Sequence, residues 1–426
     1  MALAILFGVF AVLLALGVSV AVALCAAALA TLLYLGLPPD VLVIETAAGT
    51  DSTTLIAIPL FIFAGQLMLH GGISSRLIAF ASALVGHVRG GLGQVNVLSC
   101  LFFGGVSGSA IADVSAIGGS MIPQMVQRGY DRDYAVNVTI SAALVALLVP
   151  PSHNLILYSA AAGGGISIAD LFAAGVIPAL LLTLSVMVTA YLIARRRGYP
   201  TAEFPGLRIV ATTMIAASPG LLLVVVIFGG IRAGIFTAVE SAAVAVFYAV
   251  AVTALLYRRL AWREFRAACL SAAQTAGVIL FVISAAASFA WLLAYLEVPA
   301  LVVGAIREIA DDRLVVLMLM NVVLLVLGTF MDMAPLIIIC TPIFLPVATS
   351  FGVDPLHFGV ILIVNAGIGL ITPPVGTVLF VGTAIGKISI AQVMRTIWPF
   401  YLAGLAVLLL VTYFPALSVG LPRLLR

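Results

Sequence analysis

Charge is what this 426-residue sequence has least of: Asp, Glu, Lys and Arg make up 8% of it, against 64% hydrophobic residues and a mean hydropathy of +1.30. A soluble domain needs a hydrated surface, so that class is excluded. Lysine is nearly missing, with Lys387 alone among 19 basic residues. Also missing is the alternating polarity of barrel strands; the apolar runs are continuous for the roughly 20 residues a spanning helix needs. The four cysteines, Cys25, Cys100, Cys269 and Cys340, are scattered without metal-ligand spacing and read as small packing residues. No basic n-region with a cleavage site precedes the first apolar run, so the first helix is expected to be retained. The chain reads as an all-α polytopic membrane protein in a lipid bilayer, with no nucleic-acid partner expected.

Against that apolar background, Gly104 to Pro123 (GGVSGSAIADVSAIGGSMIP) gathers glycines, serines and an aspartate. A lipid-facing helix does not carry such a set. An offset of 223 lays it on a second stretch: Gly105 falls on Gly328, Ser109 on Asp332, Pro123 on Pro346, and Pro150 and Pro151 on Pro373 and Pro374. One irregular feature thus becomes two, and the chain divides into two repeats.

In the first repeat, Leu3 to Leu16, Val18 to Leu35 and Leu55 to Leu69 read as apolar helices, with Pro38, Pro39 and Asp40 ending the second. Ile73, Leu77, Phe80 and Leu84 recur at helical spacing beside Ser74, Ser75 and Arg76, the pattern of an amphipathic helix along the membrane surface. Leu92 to Gln127 holds two half-helices around GVSGSA, a re-entrant hairpin. A helix from Tyr134 breaks at Val149-Pro150-Pro151-Ser152, and Leu171 to Ala194 closes the repeat. The second repeat is expected to have helices at Ile209 to Gly229 and Ile235 to Tyr257, a surface segment at Trp262 to Phe265, a helix from Ser271 to Leu296 and an arm from Pro299 to Asp311. A hairpin follows at Leu314 to Ser350, then a helix broken at Thr372-Pro373-Pro374 and a last helix from Trp398 to Tyr413. The expected organisation is scaffold helices and arm in 1–91, hairpin and broken helix in 92–168, closing helix and linker in 169–208, then the same parts in 209–313, 314–387 and 388–426.

Five passes per repeat, an odd number, invert the two halves in the membrane. With the linker 195–208 cytoplasmic and both termini periplasmic, fourteen basic residues lie inside and five (Arg232, Arg307, Arg313, Arg423, Arg426) outside, in keeping with the positive-inside rule. Broken helix in hydrocarbon costs several kcal/mol for each stranded N–H or C=O, so four breaks imply one shared, water-lined cavity. Helix N-termini there suit anions, while loose carbonyls, hydroxyls and a carboxylate suit a hard cation such as sodium. Glycine and proline also serve plain helix packing, but repetition at one offset favours function. A mid-helix acid costs about 2.5–3.5 kcal/mol on the insertion scale, so Asp113, Asp332 and Glu240 each call for a partner or a role, Glu240 as a structural hub. Asn137 and Asn365 read as glue between helices, and His70, His87 and His357 as interfacial. His153, inside a break, is the histidine worth testing.

These residues resemble the large membrane subunit of tripartite ATP-independent periplasmic (TRAP) transporters. The likeness runs almost end to end: IPLFIFAGQLM at Ile58, GGLGQVNV at Gly90, GGVSGSAIADVSAIGGSMIP at Gly104, LVPPSHNLILY at Leu148, GIFTAVESAAV at Gly234, GTFMDMAP at Gly328 and GLITPPVGTVLFV at Gly369. The resemblance implies no enzyme but an elevator-type, sodium-coupled carrier of a small organic acid in the inner membrane. Its partners would be a separate small TRAP membrane subunit and a periplasmic substrate-binding protein. One sodium site is implied at Ser107, Gly108 and Ser109 against Pro150 and Ser152, and a second at Gly328 and Asp332 against Thr372, Pro373 and Gly376. Ser109, Asp113 and Thr377 would meet the substrate, with Pro151 and Pro374 shaping the breaks. Two other readings stand beside it. A standalone sodium-coupled carboxylate symporter or exchanger would need no partners. An intramembrane serine protease would use Gly105-Val106-Ser107-Gly108 as a nucleophile motif with His153 as base.

Overall fold

In the computed structural model the described residues are 1–309 and 312–425, so the expected arm's end at Asp311 and the tail Arg426 lie outside them. The described residues form helices and connecting turns, with no strand. The first repeat comprises α1 (Ala2–Ala15), α2 (Val20–Leu35), α3 (Asp40–Ala48), α4 (Ala57–His70), α5 (Ile73–Val85), α6 (Gly91–Ser107), α7 (Ala110–Asp113), α8 (Gly119–Gln127), α9 (Arg132–Ala143), α10 (His153–Ala161) and α11 (Ile168–Arg196). The second comprises α12 (Leu207–Arg232), α13 (Ala238–Ala251), α14 (Trp262–Tyr295), α15 (Val298–Ile309), α16 (Arg313–Gly328), α17 (Met333–Ser350), α18 (Pro355–Leu370), α19 (Thr377–Gly386), α20 (Ile390–Thr396), α21 (Trp398–Tyr413) and α22 (Ala416–Leu424).

The 223-residue offset carries element onto element. The span of α5, 73–85, becomes 296–308, the place of α15; that of α9, 132–143, becomes 355–366 inside α18. Each repeat therefore presents the same order of arm, hairpin and broken helix. Both broken helices are deeply buried: almost every residue of α9 from Tyr134 and of α18 from Leu356 is out of contact with the surroundings. The repeats interlock there. A Cβ on Gly382 of α19 would sit 2.3 Å from the Ile140 side chain of α9, so glycine is what lets the two helices touch. Helix α4 packs against both α13 and α14.

Several boundaries differ from the sequence expectation. Trp262 to Phe265 is not a separate surface segment but the first turn of the 34-residue α14. No glycine or proline interrupts the chain from Trp262 to Ala276, so nothing ends the helix there. The short α3 follows Pro38-Pro39 directly: proline presets the first-turn φ, and Asp40 sits against the helix's positive end. A further helix, α22, follows the last expected one. Among the described residues six helices are long and apolar enough to cross a membrane, or eight if each of two sharply bent pairs counts as one span. The broken pairs α9/α10 and α18/α19 fall short because each break divides a crossing.

Glu240 is corrected outright. It is an exposed residue in the first turn of α13, not a buried mid-helix acid. Its carboxylate accepts from the Thr237 N–H at 2.8 Å and the Thr237 hydroxyl at 2.9 Å, closing a capping box on otherwise unpaired amides. His357 is also no interfacial residue. It is fully buried, bonded to the Ser418 hydroxyl at 2.7 Å and the Thr412 carbonyl at 3.1 Å. Asn137 and Asn365 are helix glue as expected, Asn137 donating to the Val393 carbonyl and Asn365 to Asn321. At the surface, Arg197 grips Asp131 and Asp133 at 2.9 and 2.8 Å. In the loop beyond it, burial and the Asp131 carboxylate push the Tyr199 phenol up to about 12.

Candidate functional site

The first hairpin turns because α6 runs out at Gly108, whose φ of +61° is left-handed. Ser109 then caps α7, its hydroxyl accepting from the Ala112 N–H at 3.4 Å. The tip presses on the first break. A Cβ at Gly108 would lie 3.0 Å from the Pro151 carbonyl oxygen, a tight contact at a position whose left-handed φ already favours glycine. Asn154, at the start of α10, donates to the Gly108 carbonyl at 3.2 Å. Inside the break, Ser152 donates to the Leu147 carbonyl at 2.6 Å and satisfies one of the stranded acceptors.

The second hairpin repeats this arrangement with other side chains. Gly328 ends α16 against Gly369 of α18; a Cβ on Gly369 would come within 2.6 Å of the Gly328 carbonyl, so the two backbones are in direct contact. The Val375 N–H donates to the Thr329 carbonyl at 3.0 Å, tying break to tip. Thr372 donates to the Ile368 carbonyl at 2.8 Å and Tyr401 to the Ile371 carbonyl at 2.7 Å, which accounts for loose acceptors of this break. Thr377 donates to Asp332 Oδ1 at 3.1 Å. Both Pro151 and Pro374 follow a cis peptide bond.

A cavity of about 690 Å³ lies where these parts meet. Ser107 and Ser109 of the first tip, Asp332 of the second, and His153 and Asn154 of the first break all line it. Its size suits a small solute. The first turns of α10 and α17 end on its wall, so their free amides add positive partial charge there. Among the described residues no arginine or lysine lines it. A bound organic anion would be met by amides, hydroxyls and an accompanying cation.

Two of the residues expected to touch substrate are not on the cavity wall. Asp113 is fully buried behind the tip and is absent from the cavity wall. The Ser107 hydroxyl donates to its Oδ1, while Oδ2 has no hydrogen-bond partner. It therefore reaches the cavity only through Ser107. Thr377 is likewise outside the wall, its proton directed at Asp332. The physical reason is the same for both: a carboxylate takes the nearest hydroxyl proton in a site short of water. The hydroxyls of Ser107, Ser152, Thr372 and Thr377 each donate a proton and keep oxygen lone pairs for a hard cation, alongside the carbonyls at Gly108, Pro150, Gly328 and Pro373. These residues thus fit the oxygen-rich environment sodium requires. Ser107 bonds to Asp113 and not to His153, so the nucleophile–base contact of a serine protease is missing among the described residues.

Sequence reading missed Asn154 and the scaffold side of the cavity. The 223 offset held a signal for the first, because 154 + 223 = 377 pairs it with Thr377, and each of the two binds its own tip. On the far wall stand Gln66 and His70 of α4 and Ser271, Gln274 and Thr275 of α14. Their signal was polar spacing of three and four in an apolar helix.

Paired hairpins and broken helices closing on one solute-sized cavity define a class, the polytopic membrane carriers. Residues 7–417 match the family described as "Tripartite ATP-independent periplasmic transporter, DctM component", and the chain belongs to it as a TRAP large permease, not an enzyme. It is 42% identical to the uncharacterised protein YgiK of Salmonella typhimurium, covering 99% of this chain and 97% of the relative. It is 36% identical to the C4-dicarboxylate TRAP transporter large permease protein DctM of Rhodobacter capsulatus, over 99% of both. The fold is shared with the solved Alcanivorax borkumensis YdaH transporter at a TM-score of 0.57, with 15% identity and coverage of 93% of this chain and 88% of that one.

Proposed function

We propose that this permease carries a small organic acid into the cytoplasm, driven by sodium, with the hairpins and broken helices moving as one block against the peripheral helices. The observation that carries the reading is the single cavity that receives both hairpin tips and the start of α10. Sodium belongs at two places in this account. One is the first tip, where Ser107, Gly108 and Ser109 face 150–152 and Asp113 supplies negative charge through Ser107. The other is the second tip, where Gly328 and Asp332 face Thr372, Pro373 and Gly376, with Thr377 orienting the carboxylate. Each net charge moved inward draws about 2.3 kcal/mol per 100 mV from the membrane potential. The DctM relative is named for C4-dicarboxylates, and a dicarboxylate or similar acid fits a cavity of this size.

In this reading the two repeats are inverted in the inner membrane, linker inside and termini outside. A separate small membrane subunit braces the scaffold, and a periplasmic binding protein delivers the acid. The test is reconstitution of the permease in liposomes under an inward sodium gradient, with and without the two partners. Uptake that needs sodium and both partners is expected. Uptake by this chain alone with free substrate would favour the standalone symporter reading instead.

A further inference from the structure

The cavity has two walls of different origin. One is made by the hairpin tips and the first break; the other by α4 and α14, which pack on each other, with α13 against the α4 side. On that second wall, Ser271, Gln274 and Thr275 make a polar stripe in an otherwise apolar helix, and Gln66 of α4 stands beside it. Among the described residues none of these four side chains has a hydrogen-bond partner in the protein. Thr139, Thr183, Thr253 and Thr341 all donate to the carbonyl four residues back, whereas Ser271 and Thr275 do not. Gln274 and Thr275 are also exposed. An unpaired amide or hydroxyl at membrane depth costs several kcal/mol unless water or a ligand meets it.

His70 sharpens the assignment. Its Nδ1 lies 2.9 Å from the Gln66 backbone carbonyl, which only accepts, so Nδ1 carries the proton and Nε2 of the neutral ring is an acceptor. The N–H and O–H donors on this wall are therefore those of the glutamines, Ser271 and Thr275. Arg263, eleven residues before Gln274, is three helical turns away on the same face, about 16 Å along α14. It is exposed, so the stripe runs from neutral donors to a cation at the helix's N-terminal end.

We propose that Gln66, Ser271, Gln274 and Thr275 form a scaffold-borne subsite for the carboxylate group of the transported acid, distinct from the positions on the tips and leading toward Arg263. This rests on the transport reading above, and it deepens that reading by giving the stationary wall a share in binding. Because the donors are neutral and the wall does not travel with the tips, the subsite holds the anion only while the cavity faces α14, and then lets it go.

The test is protection from a membrane-impermeant methanethiosulfonate in the full chain, in permeabilised membranes, with the half-buried Cys25 and Cys269 replaced by serine. Thr275→Cys reports on the subsite, Gln274→Cys is a second reporter on the same wall, and Ser109→Cys reports on the tip. Succinate, pyruvate and gluconate are the probes, each with sodium present. A slowing of roughly threefold or more at position 275 or 274 by the same acid that protects position 109 is expected for an anion held by two or three hydrogen bonds. Protection at 109 with none at 274 and 275 overturns the subsite and leaves the transport reading standing. Protection at none of the three by any probe contradicts the cavity as an anion site, and the subsite with it.

Discussion

The two hairpin tips occupy equivalent places in the sequence and keep their carboxyl groups in different ones. At the second tip Asp332 stands on the cavity wall, held by Thr377. At the first, the equivalent position is Ser109, and the carboxylate of Asp113 sits four residues on, one helical turn deeper, screened from the cavity by Ser107. The residues that tie each break to its tip are equivalent too, but Asn154 holds a backbone carbonyl where Thr377 holds a carboxylate. A duplicated scaffold thus carries two sites of unequal electrostatics. In the proposed account the second tip would meet its cation directly, and the first would be tuned from behind.

The largest effect expected on this comparison is that of Gly369→Ala. The new methyl would lie 2.6 Å from the Gly328 backbone, so α16 and α18 must separate, and neither backbone can yield as a side-chain end would. A loss of thermal stability of about 1–3 kcal/mol is expected in a melting assay, with uptake abolished. An unchanged melting temperature would show that the second tip tolerates looser contact than the structure implies. Next is Asp332→Asn, which removes the charge but keeps the shape. A charge-assisted contact worth about 1.5–3 kcal/mol corresponds to a rise of roughly tenfold to a hundredfold in the sodium concentration for half-maximal uptake.

Asp113→Asn should act more mildly on the sodium curve, because its carboxylate works through Ser107. Sodium titration of uptake would show a rise of roughly threefold to tenfold. Equal effects at 113 and 332 would erase the proposed distinction between direct and screened charge. Thr377→Val keeps the size and removes the hydroxyl that orients Asp332. It should raise half-saturating sodium by roughly fivefold or less, the worth of one ordinary hydrogen bond. At the small end, Glu240→Gln, far from either tip in function, should leave the sodium curve and the uptake rate unchanged. Its carboxylate serves only the exposed end of α13.

Much of the architecture was open to sequence reading because the determinants are local and repeated. Proline pairs mark both breaks, Gly108 marks a left-handed turn, and the 223 offset joins the two sets. Element ends were less legible: without an intervening glycine or proline, the basic start of α14 looked like a surface segment and proved continuous with the long helix. Glu240 misled for a related reason. A carboxylate three residues after Thr237 reads as a cap only once the helix start is known. The site itself was half legible. Tip and break residues announce themselves by breaking the apolar pattern, whereas the side of a helix on which Ser271, Gln274 and Thr275 lie depends on tertiary packing. Asp113 was recognisable as a buried acid, but its distance from the cavity is set by how Ser107 folds over it.

The most direct test of unequal tips is the sodium dependence of uptake in the reconstituted three-component system, measured for Asp332→Asn and Ser109→Asp side by side. The account predicts that Asp332→Asn shifts half-saturating sodium upward by at least roughly tenfold. Ser109→Asp, which places a carboxylate on the cavity wall at the first tip, should lower half-saturating sodium while weakening uptake of the organic anion through like-charge repulsion. Both variants giving the wild-type sodium curve would contradict the claim that charge at the two tips sets cation binding.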